Sequence, residues 1–151
     1  MNDKEKYLIQ RLRINGRENI NDIAKERKYP VSSVYDTLHK LEEKGIIEYR
    51  TRILFEKTGF PVKMIISLKT TKDGRKRVQE FLLKSKNTNT IYRISPGPDY
   101  YFEAVFKNYK DAQEFLDEIS TINEITDANI HNILDVLAYE KFLTSEEHFQ
   151  E

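Results

Sequence analysis

The chain has no cysteine and no tryptophan among its 151 residues, and it contains three histidines, five glycines and four prolines. The lack of cysteine excludes disulfide bonds, a thiolate metal site and a cysteine nucleophile. His39, His131 and His148 are far apart in the sequence and lack the spacing of metal ligands, and no glycine-rich phosphate loop is present. We therefore expect neither an enzyme nor a protein that holds a metal ion or another cofactor.

A long apolar run is also missing. Residues 1–6 are charged where a secretory signal peptide would lead into an apolar core. No stretch approaches the roughly 20 apolar residues that span a bilayer. These observations predict a soluble cytoplasmic protein without membrane contact.

The most informative stretch, residues 15–49, has the pattern of two short helices joined by a tight turn. Asn19 is suited to cap the first helix. That helix should end at Tyr29-Pro30, because proline lacks a backbone N–H and disfavours α geometry in the residue before it. The second helix is predicted over residues 31–44 and should end at Gly45. This order is typical of a helix-turn-helix.

The second predicted helix has an apolar and a polar face. Val34, Leu38 and Leu41 follow one another at spacings of four and three, so they form one stripe that packs inward. Small polar residues at the N-terminal end of the opposite face would let the helix enter the major groove of DNA. The candidate DNA-contacting residues on that face and its flanks are Ser32, Ser33, Tyr35, Asp36, His39 and Lys40.

A basic strand is predicted after the second helix. Residues 48–55 alternate and are rich in β-forming side chains, which indicates a strand or wing carrying Arg50 and Arg52. These arginines would contact phosphates, which position a protein without reading base sequence. The alternative for the whole stretch is an ordinary helical hairpin with solvated surface charges.

The formal net charge is zero, but the charges are unevenly distributed. Residues 1–60 hold 13 basic and 10 acidic side chains, residues 61–93 hold 9 and 2, and residues 94–151 hold 3 and 13. Because the distribution of charge governs attraction to a polyanion, we expect the acidic portion to face away from DNA. The basic middle portion is expected nearer to DNA or to a neighbouring subunit.

Beyond Gly59-Phe60-Pro61 the hydrophobic period changes from helical to alternating, which predicts a domain boundary at residue 60. The predicted elements are strand 62–70, helix 73–85, strands 90–95 and 100–106, helix 110–121, and a last strand within 125–137, which contains His131 as a sheet residue. That βαββαβ order is ferredoxin-like. The chain is thus predicted to be α+β, with a winged helix-turn-helix domain over residues 1–60 and a ferredoxin-like domain over residues 61–151.

Strand 100–106 has apolar residues on both faces. Phe102, Ala104 and Phe106 share one face with Tyr100, while Tyr101 and Val105 lie on the other. Two helices can cover only one side of the sheet, so a partner sheet is expected on the second side. A solvated aromatic face is the alternative.

The first sixty residues resemble the Lrp/AsnC (feast/famine) transcriptional regulators, and the coarser pattern of the remainder agrees. The matching residues are Asn15-Gly16-Arg17, Ile23-Ala24, Val34, Leu38, Leu41-Glu42, Gly45-Ile46-Ile47 and Tyr49, with Lys57-Thr58-Gly59 at the domain junction. Pro30 and Thr37 depart from the serine and arginine usual in the family. The resemblance therefore leaves the base preference open.

The resemblance implies a sequence-specific regulator of double-stranded DNA whose RAM-type domain senses a ligand and pairs subunits into a homodimer, with a tetramer or octamer as larger assemblies. It also implies an amino-acid effector at a glycine-containing turn, here Pro96, Gly97, Asp99 and Tyr100. Asp99 would accept the ammonium group while backbone N–H groups hold the carboxylate. Two prolines around one glycine are equally typical of an ordered hairpin without a ligand.

Two other functions stay open. The polar face of the second helix is compatible with an effector-independent protein that coats DNA with little sequence preference. A branch that resembles this family in architecture decarboxylates tetrapyrroles in a pocket rich in histidine and bearing tryptophan. The absence of tryptophan and the small number of histidines make that enzymatic function the weaker alternative.

Overall fold

The computed structural model describes residues 1–149, which divide into a helical unit and a unit built on a four-stranded sheet. The helical unit contains α1 (Asp3–Ile14), α2 (Ile20–Glu26) and α3 (Val31–Glu43). The second unit contains β1 (Val62–Thr70), α4 (Arg75–Lys84), β2 (Thr88–Arg93), β3 (Tyr100–Phe106), α5 (Tyr109–Ser120) and β4 (Ile125–Asn132). None of the helices in residues 1–149 is long and apolar enough to cross a membrane.

Helix α1 was not assigned from the sequence, although its start carries a capping signal. The Asn2 side chain accepts a hydrogen bond from the backbone N–H of Glu5, and the Glu5 carboxylate accepts one from the N–H of Asn2. These reciprocal bonds satisfy two donors that a helix start leaves unpaired. The helix packs on α2 and α3 in a core formed by Tyr7, Leu8, Ile23, Ala24, Val34 and Leu41.

The helix-turn-helix is confirmed. Asn19 caps α2 by accepting the N–H of Asn21 at 2.9 Å. Pro30 stands at the N-cap of α3 and donates no hydrogen bond, so no backbone donor is lost there. Gly45 follows the helix with φ of +65°, a left-handed conformation that glycine adopts without steric cost. The apolar stripe of α3 faces inward as predicted, since Val34 and Leu41 are buried.

The predicted wing strand over residues 48–55 is wrong. Residues 47–54 belong to no strand, and Phe55–Lys57 forms a 3-10 turn. A strand exists only where its backbone groups pair with a neighbouring chain segment. The first sixty residues, all of which the structure describes, contain no second strand that could supply this pairing. Alternation of side chains alone is therefore insufficient to predict a strand over residues 48–55.

The ferredoxin-like arrangement is confirmed in the second unit. Its antiparallel sheet has the order β2-β3-β1-β4, with Ile66 of β1 opposite Phe102 of β3 and Ile130 of β4. Helices α4 and α5 cover one face. The Phe115 ring of α5 lies at the centre of this core, 5.4 Å from the ring centroid of Phe106 and 6.4 Å from that of Phe102.

The compact units differ from the predicted domain bounds. The first unit comprises residues 1–52 together with residues from 137 onward, and the second comprises residues 53–136. The C-terminal segment joins the helical unit through ion pairs, including Arg13 with Glu140 at 3.1 Å and Arg27 with Glu146. Sequence periodicity does not reveal such pairs, because they connect residues more than 100 positions apart.

Gly74 at the N-cap of α4 supplies a first prediction. A Cβ at this position would overlap the side chain of Glu124, whereas one at Gly16 would have 3.7 Å to its nearest neighbour. Gly74→Ala should therefore destabilise the sheet unit by about 1–3 kcal/mol, the usual cost of overpacking. Urea unfolding of Gly74→Ala, with Gly16→Ala as the control, tests this. Equal stability of Gly74→Ala and the wild type would contradict the tight packing of α4 against Glu124.

Candidate DNA interface and effector loop

The polar face of α3 is presented to solvent. Ser32, Asp36 and Lys40 are exposed, Tyr35 is 45% exposed, and the His39 side chain is 74% exposed. Because the opposite stripe of α3 is buried in the helical unit, the helix cannot rotate this face away without exposing its core residues. The structure thus brings these five predicted residues together on one rigid surface.

Ser33, the sixth predicted residue of α3, is half-buried and tied to α1. Lys4 Nζ donates to Ser33 Oγ at 2.6 Å, and the same ammonium lies 5.2 Å from the centroid of the Tyr29 ring. Thr37 Oγ1 donates to the Ser33 backbone carbonyl at 2.8 Å, so the Thr37 side chain does not extend outward. Lys4 is therefore a positioning residue that sequence reasoning missed. The Asn2–Glu5 capping box was the signal that could have placed it on a helix.

Both predicted phosphate-binding arginines have partners within the chain. Arg50 donates to Glu48 Oε1 from Nε at 3.0 Å and from Nη2 at 2.7 Å. The guanidinium carbon of Arg52 lies 4.6 Å from the centroid of the Tyr139 ring. The exposed ion pair of Arg50 with Glu48 adds little stability. A phosphate can therefore replace Glu48 as the partner of Arg50 at small energetic cost.

Asp99 of the predicted effector loop is buried rather than open to a ligand. Its side chain accepts from the Thr70 N–H at 2.8 Å and from the Thr70 hydroxyl at 3.1 Å, and it pairs with Arg75 at 2.9 Å. Lys69 Nζ lies 3.8 Å away. The hydrogen bond from the Thr70 backbone, followed by that from the Thr70 hydroxyl and the charges of Arg75 and Lys69, lowers the pKa of Asp99.

The other loop residues divide between interior and surface. Tyr100 is 2% exposed, and its hydroxyl donates to the Arg75 carbonyl at 3.0 Å. Pro96 and Gly97 are exposed, and the Gly97 carbonyl accepts from Lys69 Nζ at 2.6 Å. The side chains of Asp99 and Tyr100 therefore brace the loop from within. A ligand ammonium group at Asp99 would compete with Arg75 and Lys69, which already pair with this carboxylate.

The sheet face opposite the helices, called here the outer face, is mixed in polarity. It carries Tyr92 of β2; Tyr101, Glu103 and Val105 of β3; Lys63, Ile65, Ser67 and Lys69 of β1; and Asp127, Asn129 and His131 of β4. Tyr92 and Tyr101 are register partners, 56% and 39% exposed, so they form an exposed aromatic pair. Among residues 1–149 no cluster of His, Asp and Glu could hold a metal ion.

The buried Asp99 leads to a prediction on pH. Because its folded pKa is lowered, the ionised carboxylate stabilises the protein above the ordinary aspartate pKa of about 4, and this stabilisation is lost as the pH falls through the folded pKa. Asp99→Asn should lower the free energy of unfolding at pH 7 by on the order of 2 kcal/mol, with a smaller difference from wild type at pH 3. Urea unfolding at both pH values measures this.

The exposed Asp73 just before α4 provides the control, since Asp73→Asn should leave stability nearly unchanged. A constant difference between Asp99→Asn and wild type at both pH values would argue against an ionised Asp99 in the folded protein.

Comparison with known families gives two matches along the chain. Residues 63–143 match the Lrp/AsnC ligand binding domain, and residues 3–63 match the family of the sugar-specific transcriptional regulator TrmB. The first match covers more than half of the chain and contains the sheet except for Val62, the first residue of β1. The second covers all three helices of the helix-turn-helix unit.

Individual relatives and solved structures agree with these matches. An uncharacterized HTH-type transcriptional regulator of Pyrococcus abyssi is 25% identical over 91% of this chain and 94% of its own length. YugG of Bacillus subtilis, also an uncharacterized HTH-type transcriptional regulator, is 28% identical over 89% of this chain and 85% of its own.

Two solved structures share the fold. Escherichia coli AsnC has a TM-score of 0.84 at 15% identity, covering 95% of this chain and 98% of its own. A Neisseria meningitidis transcriptional regulator, solved in complex with L-methionine, has a TM-score of 0.84 at 19% identity, covering 92% and 93%. The match over residues 63–143 shows that this chain belongs to the Lrp/AsnC family, and the match over residues 3–63 and the curated relatives show that it is a transcriptional regulator with a helix-turn-helix domain.

Proposed function

We propose that this regulator acts in the cytoplasm as a homodimer that reads double-stranded DNA in a sequence-specific manner and responds to an amino acid. The observation that carries the proposal is the exposed polar face of α3, held outward by the buried stripe of Val34 and Leu41. The small exposed side chain of Ser32 at the N-terminal end of the helix allows close approach to base edges in the major groove. The proposal assigns no catalytic residue.

Some residues of α3 would read bases, and others would bind phosphates. Ser32 can donate to or accept from a base edge, and Asp36 can accept from a cytosine amine. Lys40, nearer the end of the helix, would contact phosphate together with Arg50 and Arg52. Tyr35 and His39 would flank the base-reading residues, while Ser33 keeps the helix in place through Lys4.

Substitutions on α3 test this division. Ser32→Ala and Asp36→Ala should change the preferred base sequence, with about 1–3 kcal/mol per lost base contact. Lys40→Ala should instead weaken binding to every sequence alike and lower the salt slope of log K by about one. Selection from a random DNA pool gives the base preference, and titrations at several salt concentrations give the slope.

Lys84→Ala is the matched control, because Lys84 is exposed in the last turn of α4 as Lys40 is in that of α3. It should change neither quantity. Unchanged base preference in both Ser32→Ala and Asp36→Ala would refute base reading by α3.

A protein that coats DNA without reading sequence is the second candidate, favoured by the absence of a long bidentate side chain such as arginine from the exposed face of α3. Footprinting at two salt concentrations separates the candidates. A specific footprint should persist at the higher salt, because only the electrostatic part of binding is lost there.

Dimerisation is proposed to use the outer face of the sheet. The exposed pair Tyr92 and Tyr101 stands beside Ser67 and Ile65, on a side that neither helix covers. A second copy of the same face would bury these rings, and two-fold symmetry would present two α3 helices to half-sites about one DNA turn apart. Tetramers or octamers would follow from further contacts between dimers.

A charge on the outer face should separate the subunits. Tyr101→Lys is expected to shift the mass in solution toward the monomer and to weaken DNA binding in parallel, because a buried lysine without a partner is costly. Tyr109→Lys is the control: Tyr109 is 64% exposed at the start of α5, outside the sheet. Light scattering with gel filtration measures the mass. A wild-type protein that is monomeric in dilute solution would contradict the proposal.

The amino-acid effector is proposed by analogy with the relative solved with L-methionine. The predicted site is the loop with Pro96, Gly97, Asp99 and Tyr100. A ligand there would contact the exposed Pro96 and Gly97 directly, and it would act on Asp99 through Arg75. A thermal-shift screen of the twenty amino acids tests this, because a ligand that binds only the folded state raises its stability.

A further inference from the structure

The C-terminal segment, residues 137–149, is part of the helical unit although it follows the last strand of the sheet unit. In the sequence, residues 53–136 separate it from Arg52, where the N-terminal part of the helical unit ends. A side chain of this segment that contacts a DNA-binding residue would therefore escape any search confined to the first sixty residues.

Helix α1 holds the C-terminal segment at several points. Arg13 pairs with Glu140 at 3.1 Å and donates from Nε to the Phe142 carbonyl at 3.2 Å. Three residues earlier, and so on the same face of the helix, Gln10 Nε2 donates to the Thr144 carbonyl at 3.4 Å. One face of α1 thus fixes this part of the segment by three separate bonds.

The backbone of the segment also has a defined conformation. Glu140 has φ of +44° and Leu143 has φ of +64°, left-handed values that are uncommon for residues other than glycine. Such conformations persist where surrounding contacts determine them. Glu140 has its contact in Arg13, and the half-buried Leu143 lines a groove together with Ile9 and Leu12 of α1. The segment is therefore docked on the helical unit in one specific arrangement.

The docked segment places the ring of Tyr139 against Arg52. The guanidinium carbon of Arg52 lies 4.6 Å from the ring centroid, and the tyrosine is 40% exposed. A guanidinium is attracted by the face of an aromatic ring and stacks on it. Stacking uses the face of the guanidinium and leaves the N–H groups at its edge able to donate hydrogen bonds.

Arg52 differs in this respect from Arg50. Arg50 directs N–H groups to Glu48, whereas Arg52 makes no hydrogen bond or ion pair with any residue in 1–149. An arginine that is oriented but keeps its donors unused is suited to bind a phosphate with two parallel hydrogen bonds. Orientation before binding strengthens such a contact, because less side-chain entropy is then lost when the contact forms.

We propose that Tyr139 is a positioning residue for the DNA contact of Arg52. Its ring holds the guanidinium in one orientation, and the N–H edge of the guanidinium donates to a backbone phosphate. The DNA-binding unit thus comprises residues 1–52 together with the C-terminal segment. The inference rests on the phosphate contact proposed above for Arg52, through which Tyr139 acts.

A double-mutant cycle on the full-length protein tests this, with a labelled DNA duplex of random sequence and fluorescence anisotropy as the readout. Tyr139→Leu should weaken binding by about threefold to tenfold, the range of a cation–π contact. Arg52→Ala should weaken it at least as much and lower the salt slope of log K by about one. The double variant should bind like Arg52→Ala alone, because the ring acts only through the guanidinium.

Two further variants separate positioning from a structural role. Tyr139→Phe keeps the aromatic face and should bind DNA like wild type. Phe142→Leu is the matched control: it also replaces an exposed ring of the C-terminal segment by leucine, but this ring lies against His148 rather than an arginine. It should leave DNA binding unchanged.

The stack can also be measured without DNA. In protein carrying isotope-labelled arginine, the ring current of Tyr139 should move the Hδ resonances of Arg52 upfield in the NMR spectrum. Tyr139→Leu should remove this displacement and Tyr139→Phe should retain it. Unchanged Arg52 resonances in Tyr139→Leu would contradict the stack itself.

Three results of the DNA titrations would overturn the proposal: equal binding by Tyr139→Leu and wild type, the same loss from Tyr139→Leu with and without Arg52, or tighter binding by Tyr139→Leu. The last result would show that the segment competes with DNA for Arg52. Failure of base reading by α3 would leave these titrations unchanged, because binding to a random-sequence duplex depends on phosphate contacts. A wild type that binds no DNA at all would refute the proposed function together with this inference.

Discussion

The central position of β1 is the constraint on which the rest of the sheet unit depends. This strand pairs with β3 on one side and β4 on the other, so its register sets the positions of β3 and β4 relative to one another. The pairing brings Thr70 beside Asp99 and thereby fixes the loop at residues 95–100 from within. It also directs Ile66 toward the helices and Ser67 toward the outer face, because neighbouring side chains on a strand point to opposite sides.

In the helical unit, too, α3 has one buried side and one exposed side. Core packing of Val34 and Leu41 leaves Ser32 and Asp36 outward on a rigid helix. The zero net charge does not by itself oppose DNA binding, because attraction to a polyanion depends on how the charges are distributed. Within the helical unit, Glu140 and Glu146 of the C-terminal segment are paired with Arg13 and Arg27. Electrostatic attraction to a phosphate backbone depends on which lysine and arginine side chains lie on the face of the protein that approaches the DNA.

Much of the fold could be predicted from the sequence, and less of the candidate site. The bounds of β1 and β3 were predicted to the residue, since long runs with period-two alternation and turn residues at both ends are strong local signals. The strand over residues 48–55 was wrong because pairing is a non-local property. Lys4 was missed because its bond to Ser33 spans 29 positions. The burial of Asp99 was missed because Thr70 and Arg75 reach it only through sheet register and the placement of α4.

The sequence by itself determined the helix-turn-helix, the ferredoxin-like order of elements and the polar face of α3, because hydrophobic period, capping residues and glycine or proline stops act within a few positions. Only the tertiary structure decided which side chains meet. It closed Asp99 off from solvent, assigned the C-terminal segment to the helical unit, and placed the ring of Tyr139 against Arg52. These features depend on contacts between distant segments, and such contacts are set by packing and register rather than by local propensity.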